Sequence, residues 1–193
     1  EVRSRNLVTQ AEMPYVNALG TRYDTGSYHE ALAIAKDAIN YDEYRRNQPT
    51  DRLRDGKYRG IGIATFVEVS GIGAKGWAAR GIRAITGFDA ATIRVEPSGH
   101  VTIFTSQAAA GQGHFTTFAQ IVADHLGARL EDVTVLEGDT TSAPYGSNTM
   151  ASRSAVAAGG ATILAAHKLN DKMRRIAGEM LEASSEDIVL KNG

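Results

Sequence analysis

The 193 residues include 21 basic and 22 acidic side chains, a formal net charge of −1, with 42% hydrophobic residues and no cysteine. This length and apolar content suit one domain or two small ones, and the balanced charge gives no field that favours nucleic acid. Without cysteine, the chain makes no disulfide, ligates no iron–sulfur cluster and does no thiol chemistry, which fits a reducing compartment; no apolar run approaches the ~18 residues of a membrane span.

Residues 1–26 contain Pro14, Gly20 and Gly26 and show no clean period, so loop and extended chain are expected. "SYHE" reads as a capping box, with Ser27 capping and Glu30 reaching back. The helix behind it carries Ala31, Ile34, Ala35, Ala38 and Ile39 on one side and is expected to run to about Arg46. The Asp42-Glu43 and Arg45-Arg46 clusters read as its solvated face. "NQPTDRLRDG" is a polar turn region.

Alternation of Ile61, Ile63, Thr65, Val67 and Val69 predicts a strand with one buried face. "GIGAKGWAARG" reads as a glycine-rich loop. A hairpin follows, Ala91–Val95 and Val101–Thr105 joined by "EPSG". A helix is then expected from near His114, with Phe115, Phe118, Ala119, Val122 and Leu126 as its stripe and Gly127 as its stop. "LEDVTVLEGD" predicts a strand with Val133 and Val135 on one face. The small-residue loop "TTSAPYGSNTMASRS" feeds a second helix, about Ser154 to Leu181. Inside it "AAGGA" costs roughly 1 kcal/mol per glycine relative to alanine, which points to close packing or to a break. "SEDIVLKNG" repeats the pattern of "LEDVTVLEGD", so two helix–strand units are expected. The fold class is α/β (α+β): a mixed, twisted sheet with helices packed against it. No signal-peptide pattern opens the chain, and both ends look like cuts through something larger.

Two segments concentrate candidate chemistry. In "AAAGQGHF", Gly111-Gln112-Gly113 is either a strand-to-helix turn whose glycines take positive φ, or an anion or cofactor site at a helix start. Ala108, Ala109 and Ala110 would admit a bulky ligand, and Gln112 brings both donor and acceptor. In "GSNTMASRS", Thr149, Ser152 and Ser154 can bind phosphate or cap the next helix, and Arg153 can pair with phosphate or with Asp139. Neither "GQGHFT" nor "GIGAKG" makes a dinucleotide fingerprint, and no Walker motif occurs. His29, His100, His114, His125 and His167 are scattered without ligand spacing, and read as surface or structural residues. Glu68 reads as an edge or salt-bridge acid. No acid–base pair or activated nucleophile stands out.

"RGIGIATFVEVSGIG", "SGHVTIFTSQAAAGQGHFTTFAQIVADHLG", "VTVLEGDTTSAPYGSNTMASRS" and "AAGGA" together resemble the molybdenum large subunit of the xanthine dehydrogenase, aldehyde oxidase and carbon monoxide dehydrogenase family, bacterial carbon monoxide dehydrogenase-type chains above all. The resemblance implies a molybdopterin-binding portion over residues 59–193, preceded by a helical and extended segment of the same subunit over 1–58. It implies that Ala110, Gly111, Gln112 and Gly113 contact the cofactor, with Gln112 beside the metal in a catalytic role. Thr149, Ala151, Ser152, Arg153 and Ser154 match the stretch that wraps the pterin and its phosphates. The implied cofactor is molybdopterin cytosine dinucleotide, whose own sulfurs hold molybdenum, so no protein metal ligand is expected.

The implied reaction is oxidation of a small substrate with oxygen from water. Electrons pass to iron–sulfur clusters and FAD on partner chains, in a cytoplasmic enzyme that a homo-oligomer would also fit. The family's catalytic glutamate has no match here, nor does the cysteine loop that binds copper in carbon monoxide enzymes. The piece alone is therefore expected to be inactive. The alternative is a non-catalytic scaffold or assembly domain whose glycine-rich loops serve packing.

Overall fold

The computed structural model describes residues 1–48, 56–82 and 85–191, and contacts divide the chain into two units, Glu1–Val67 and Glu68–Gly193. Most of the expected turn at 47–56 lies outside the described residues. No helix among the described residues is long and apolar enough to cross a membrane.

The first unit is built from short pieces. Helix α1 (Val2–Asn6) leads to a 3-10 turn at Gln10–Glu12, where the Glu12 carboxylate accepts from the Thr9 amide and hydroxyl, both at 2.7 Å. Those two bonds hold the Glu12 carboxyl below the usual carboxylate range. Strands β1 (Tyr15–Val16) and β2 (Arg22–Tyr23) pair antiparallel. The predicted capping box differs from what forms. Ser27 stands at the N-cap of α2 (Tyr28–Ala38), but its hydroxyl accepts from Gln10 instead of a helix amide. The expected helix to Arg46 is interrupted: Asn40 takes φ 48°, a left-handed conformation that asparagine tolerates, and α3 (Tyr41–Asn47) starts afresh. The expected stripe of α2 does not bury: Leu32 is its buried residue, while Ala31, Ile34, Ala35, Ala38 and Ile39 are exposed. Residues 59–73 form no strand ladder. Alternation supplies two faces, but a strand exists only by pairing, and no partner for this segment stands among the described residues.

The second unit holds the sheet. The segment expected as a glycine-rich loop contains α4 (Ala74–Ala79), opened by Gly73 and rich in alanine. The hairpin of β3 (Ala91–Val95) and β4 (Val101–Thr105) forms in the expected register, and β5 (Val133–Leu136) joins β4 in parallel. The order β3-β4-β5 makes β4 central, which is why four of its five residues are buried. Helix α5 (His114–Leu126) is the crossover between the two parallel strands. Gly113 opens it at φ 83° and Gly127 closes it at φ 66°. Helix α6 (Ser154–Leu181) packs on α5 and β3.

Val101, Ile103 and Val135 from the sheet meet Phe118, Val122 and Leu126 of α5 and Ala158 and Ala166 of α6. Phe115, expected in this stripe, is 55% exposed, because the buried phase of α5 runs through His114, Phe118 and Val122. "AAGGA" does not break α6: Gly159 is buried toward Ile121 of α5, and Gly160 faces open space. The repeat survives as a second 3-10 turn, Ser185–Asp187, matching Leu130–Asp132. No second strand follows among the described residues. The chain at Leu190 instead passes against Gly127, and Arg174 holds the carbonyls of Ile188 (2.8 Å) and Glu186 (3.1 Å).

Candidate functional site

A crossover helix between two parallel strands puts the helix N-terminus beside the carboxyl ends of both strands, the edge where open α/β sheets hold ligands. Here that edge is formed by the chain after Thr105, the chain after Leu136 and the start of α5. The Gly138 amide donates to the Gln107 carbonyl at 3.1 Å and ties the two strand exits together.

The segment before α6 closes onto the same edge. The Thr149 hydroxyl donates to the Ala108 carbonyl at 2.8 Å and accepts from the Ala108 amide at 3.3 Å, with Gln107 Oε1 at 3.2 Å. Asn148, Ala151 and Ser152 all take positive φ (65°, 47° and 49°). Asparagine tolerates this, but for Ala151 and Ser152 it costs ~1–2 kcal/mol each, so the loop is held in a shape its sequence does not favour.

Its anchor is Arg153, which is fully buried. The guanidinium donates to the carbonyls of Gly87 (2.8 Å), Ile72 (3.2 Å) and Asn148 (3.2 Å), and Nη1 lies 2.6 Å from Asp89 Oδ2 as an ion pair. Asp89 Oδ1 accepts from the Ser106 hydroxyl (3.0 Å) and the Ser147 amide (3.1 Å). The acidic partner of Arg153 is therefore Asp89 and not Asp139. Asp139 instead accepts from the Ser142 hydroxyl (2.6 Å) and the Thr141 amide (2.9 Å), which lower its carboxyl from the usual range, the hydroxyl contributing most.

Between the two loops lies a cavity of about 450 Å³, within the ~300–1,000 Å³ of small-molecule sites. Ala110, Gln112, Thr149, Ala151, Ser152 and Ser154 line it, so the structure brings both sequence-predicted segments to one space. Gly111 and Gly113 are not among its lining residues; they turn the loop at φ 98° and 83°. Arg153 is not on the wall. Helices of 13 and 28 residues begin at this cavity, and neither has a side-chain cap on its first amides. Among the described residues no lysine or arginine lines the cavity, so the groups there suited to an anion are the backbone amides at the two helix starts. Gln112 folds back, its Oε1 accepting from the Ala110 amide at 2.5 Å. Glu68 is exposed and accepts from the Ser152 hydroxyl at 3.4 Å. A larger cavity of about 510 Å³ in the first unit is lined mainly by apolar groups such as Leu7, Val8 and Leu32, with Asn6, Tyr23, Tyr28 and Thr65 among them.

The family model described as "Molybdopterin cofactor-binding domain" matches residues 34–193. The chain belongs to that family. It is 40% identical, over 97% of its length, to the carbon monoxide dehydrogenase large chain of Hydrogenophaga pseudoflava. It is also 40% identical, over its whole length, to the nicotine 6-hydroxylase large subunit of Paenarthrobacter nicotinovorans. The chain spans 23% of each of these relatives. Among solved structures, quinoline 2-oxidoreductase from Pseudomonas putida 86 superposes with a TM-score of 0.73 at 39% identity, covering 100% of this chain and 24% of that one. The Cu,Mo-CO dehydrogenase gives a TM-score of 0.66 at 38% identity, covering 97% and 24%.

Gln107, Asp89 and Glu137 belong to no motif in the sequence, and His114, expected as a surface or structural residue, is buried against Glu137. Gln107 is 1% exposed, with Nε2 buried and unpartnered. The missed signal is strand period. Gln107 extends the inward row Val101, Ile103, Thr105, and Glu137 extends Val133 and Val135, each one step past its strand. Polar residues continuing an inward row are placed to face whatever fills the sheet's carboxyl edge.

Proposed function

We propose that the loops at 106–113 and 147–154, with the first turns of α5 and α6, hold a molybdopterin cofactor within the complete large subunit of a molybdenum hydroxylase. The carrying observation is the single cavity that both loops and both uncapped helix starts share. The donor set fits such a group: amides at two helix N-termini suit phosphate, and Ala110, Ala151 and Ala155 leave room for a flat ring. When bound, the cofactor supplies a two-electron redox centre for oxidising a substrate carbon with oxygen from water.

The residues divide the work by position. Backbone amides of α5 and α6 meet phosphate charge, helped by the Ser152 and Ser154 hydroxyls. Gln112 keeps its Nε2 free for donation while Oε1 rests on the Ala110 amide, so the side chain can orient a polar group without reorganising. Thr149 clasps the two loops, and Arg153 acts behind the wall by fixing the shape of 147–153. We read the cofactor as the cytosine dinucleotide form, and residues 59–193 as the cofactor-binding portion. Electrons leave to iron–sulfur and flavin partners in a cytoplasmic complex. The test is molybdenum and pterin analysis of the complete large subunit carrying Ala155→Trp, which fills the cavity from the exposed first turn of α6. Cofactor content should fall to a small fraction of wild type; full content would remove the cavity from the site. Gln112→Ala should keep the cofactor and lose turnover by about 10²-fold, the scale of one preorganised donor.

A further inference from the structure

Helices α5 and α6 both begin at the cavity and pack against each other. Far from those starts, a pair of histidines meets across the seam. His125, in the last turn of α5, faces His167 of α6. At ~1.5 Å per residue, the two stand roughly 17–20 Å beyond the helix starts. His167 Nε2 lies 3.2 Å from His125 Nδ1, with ring centroids 4.7 Å apart and ring planes at 67°. His167 is exposed and His125 half-buried. The Asn170 amide donates to the His125 carbonyl at 2.7 Å, so α6 also grips the backbone that carries the ring.

A hydrogen bond between two rings at the surface adds little to folding, because water competes for both. The same spacing has a second use. Two imidazole nitrogens bound to one tetrahedral ion at ~2.0–2.1 Å stand about 3.3 Å apart. The histidines already hold that separation on two packed helices, so chelation turns the rings about χ2, a soft torsion, and leaves the backbone in place. The proton between the rings leaves to solvent, which reaches the pair. An ion there would also lie at the C-terminal end of α5, where the last carbonyls carry negative partial charge. The charged neighbours in sequence balance, Asp124 and Asp171 against Lys168 and Lys172. Among the described residues no third His, Cys, Asp or Glu completes a cluster, so water would fill the remaining positions of an open site.

We propose that His125 and His167 form a two-imidazole site for a divalent transition ion of the zinc, nickel and copper class, a clip between α5 and α6 separate from the cofactor cavity. Imidazole suits these ions, whereas magnesium and calcium take oxygen ligands. The test uses the complete large subunit in its assembled enzyme, dialysed against a chelator. The probe is zinc chloride, with copper and magnesium chlorides for comparison. Wild type is set beside His125→Ala, His167→Ala and the double variant. The readouts are bound zinc, by equilibrium dialysis and elemental analysis, and the melting midpoint with and without zinc.

Wild type should bind one zinc per subunit more than the double variant. Copper should displace that zinc, and magnesium should not. Either single substitution should weaken the site at least about tenfold, and the double no further, because one imidazole does not chelate. Zinc should raise the melting midpoint of wild type above that of the variants. Equal zinc in wild type and the double variant would overturn the proposal, including the case in which another part of the subunit covers the pair. Independent losses of about twofold from each substitution would overturn it too, since they describe two separate surface histidines. If H125A melts low without zinc, H167A decides alone: a site about tenfold weaker supports chelation, and unchanged zinc binding refutes it.

Discussion

Replacing Arg153 by methionine keeps most of the side-chain volume and removes the charge. Asp89 would then be a carboxylate with no exposed side-chain surface and no counter-ion. Breaking a buried pair from one side costs ~3–5 kcal/mol, and neither partner is exposed, so solvent screening does not reduce that figure. The carbonyls of Gly87, Ile72 and Asn148 also lose their donor. These losses share one group and do not add, so the upper end, about 5 kcal/mol, is the expectation. Whole domains are stable by only ~5–15 kcal/mol. At ~2–4 °C per kcal/mol for a chain of this size, the melting midpoint should fall by about 10–20 °C. Thermal unfolding followed by circular dichroism measures the midpoint, and urea denaturation measures the free energy. Arg153→Lys should recover only part, because one ammonium does not span three carbonyls and a carboxylate as a planar fork does. A loss below about 1 kcal/mol for Arg153→Met would refute the clamp. If stability held while cofactor content fell in the complete subunit, Arg153 would be a ligand contact after all.

Gly146 packs its backbone against the Ser106–Asp89 bond, and an added Cβ would lie 2.5 Å from Ser106 Cβ and 2.8 Å from Asp89 Oδ1. Gly146→Ala should therefore cost ~1–3 kcal/mol in the same urea assay, through overpacking. Gly160→Ala should stabilise by ~0.5–1 kcal/mol, since an added Cβ there meets nothing within 4 Å and alanine favours the helix. Asp139 should titrate below an ordinary aspartate when its carboxyl carbon is followed by NMR. Because its folded value is lowered, its contribution is present above the unfolded value and is lost as the pH falls through the folded one, so acid loosens the 139–142 turn and alkali does not.

The parts of this fold that could be read from sequence are those fixed by local chemistry. The hairpin at 91–105, the start and stop of α5 at its two glycines and the full length of α6 follow from period and capping, and the structure has them. What failed depended on partners distant in sequence. The alternating residues 61–69 form no ladder, because alternation states which faces a strand would have and not whether anything pairs with it. Asn40 divided a continuous helical pattern through a left-handed conformation that no period records. The partner of Arg153 was mistaken for the same reason. Asp139 is near in sequence, whereas Asp89 is brought in from 64 positions away by the pairing of β3 with β4.

The proposed role of the two loops in holding a ligand also accounts for their composition. Thr149, Arg153 and Asp89 spend their bonding capacity inside the protein, holding Asn148, Ala151 and Ser152 in a left-handed backbone. A loop satisfied by its own folding would instead let Ser152 or Ser154 cap α6, and neither does. The strain and the uncapped amides are thus one arrangement: the clamp behind the wall stops the loop from relaxing onto the helix end, and the helix end stays open toward the cavity. On this account, releasing the clamp should degrade the site even though the clamp touches nothing in it. Arg153→Met should thus cost cofactor retention alongside stability, while Gly160→Ala, which stabilises α6 without touching the loop, leaves retention unchanged.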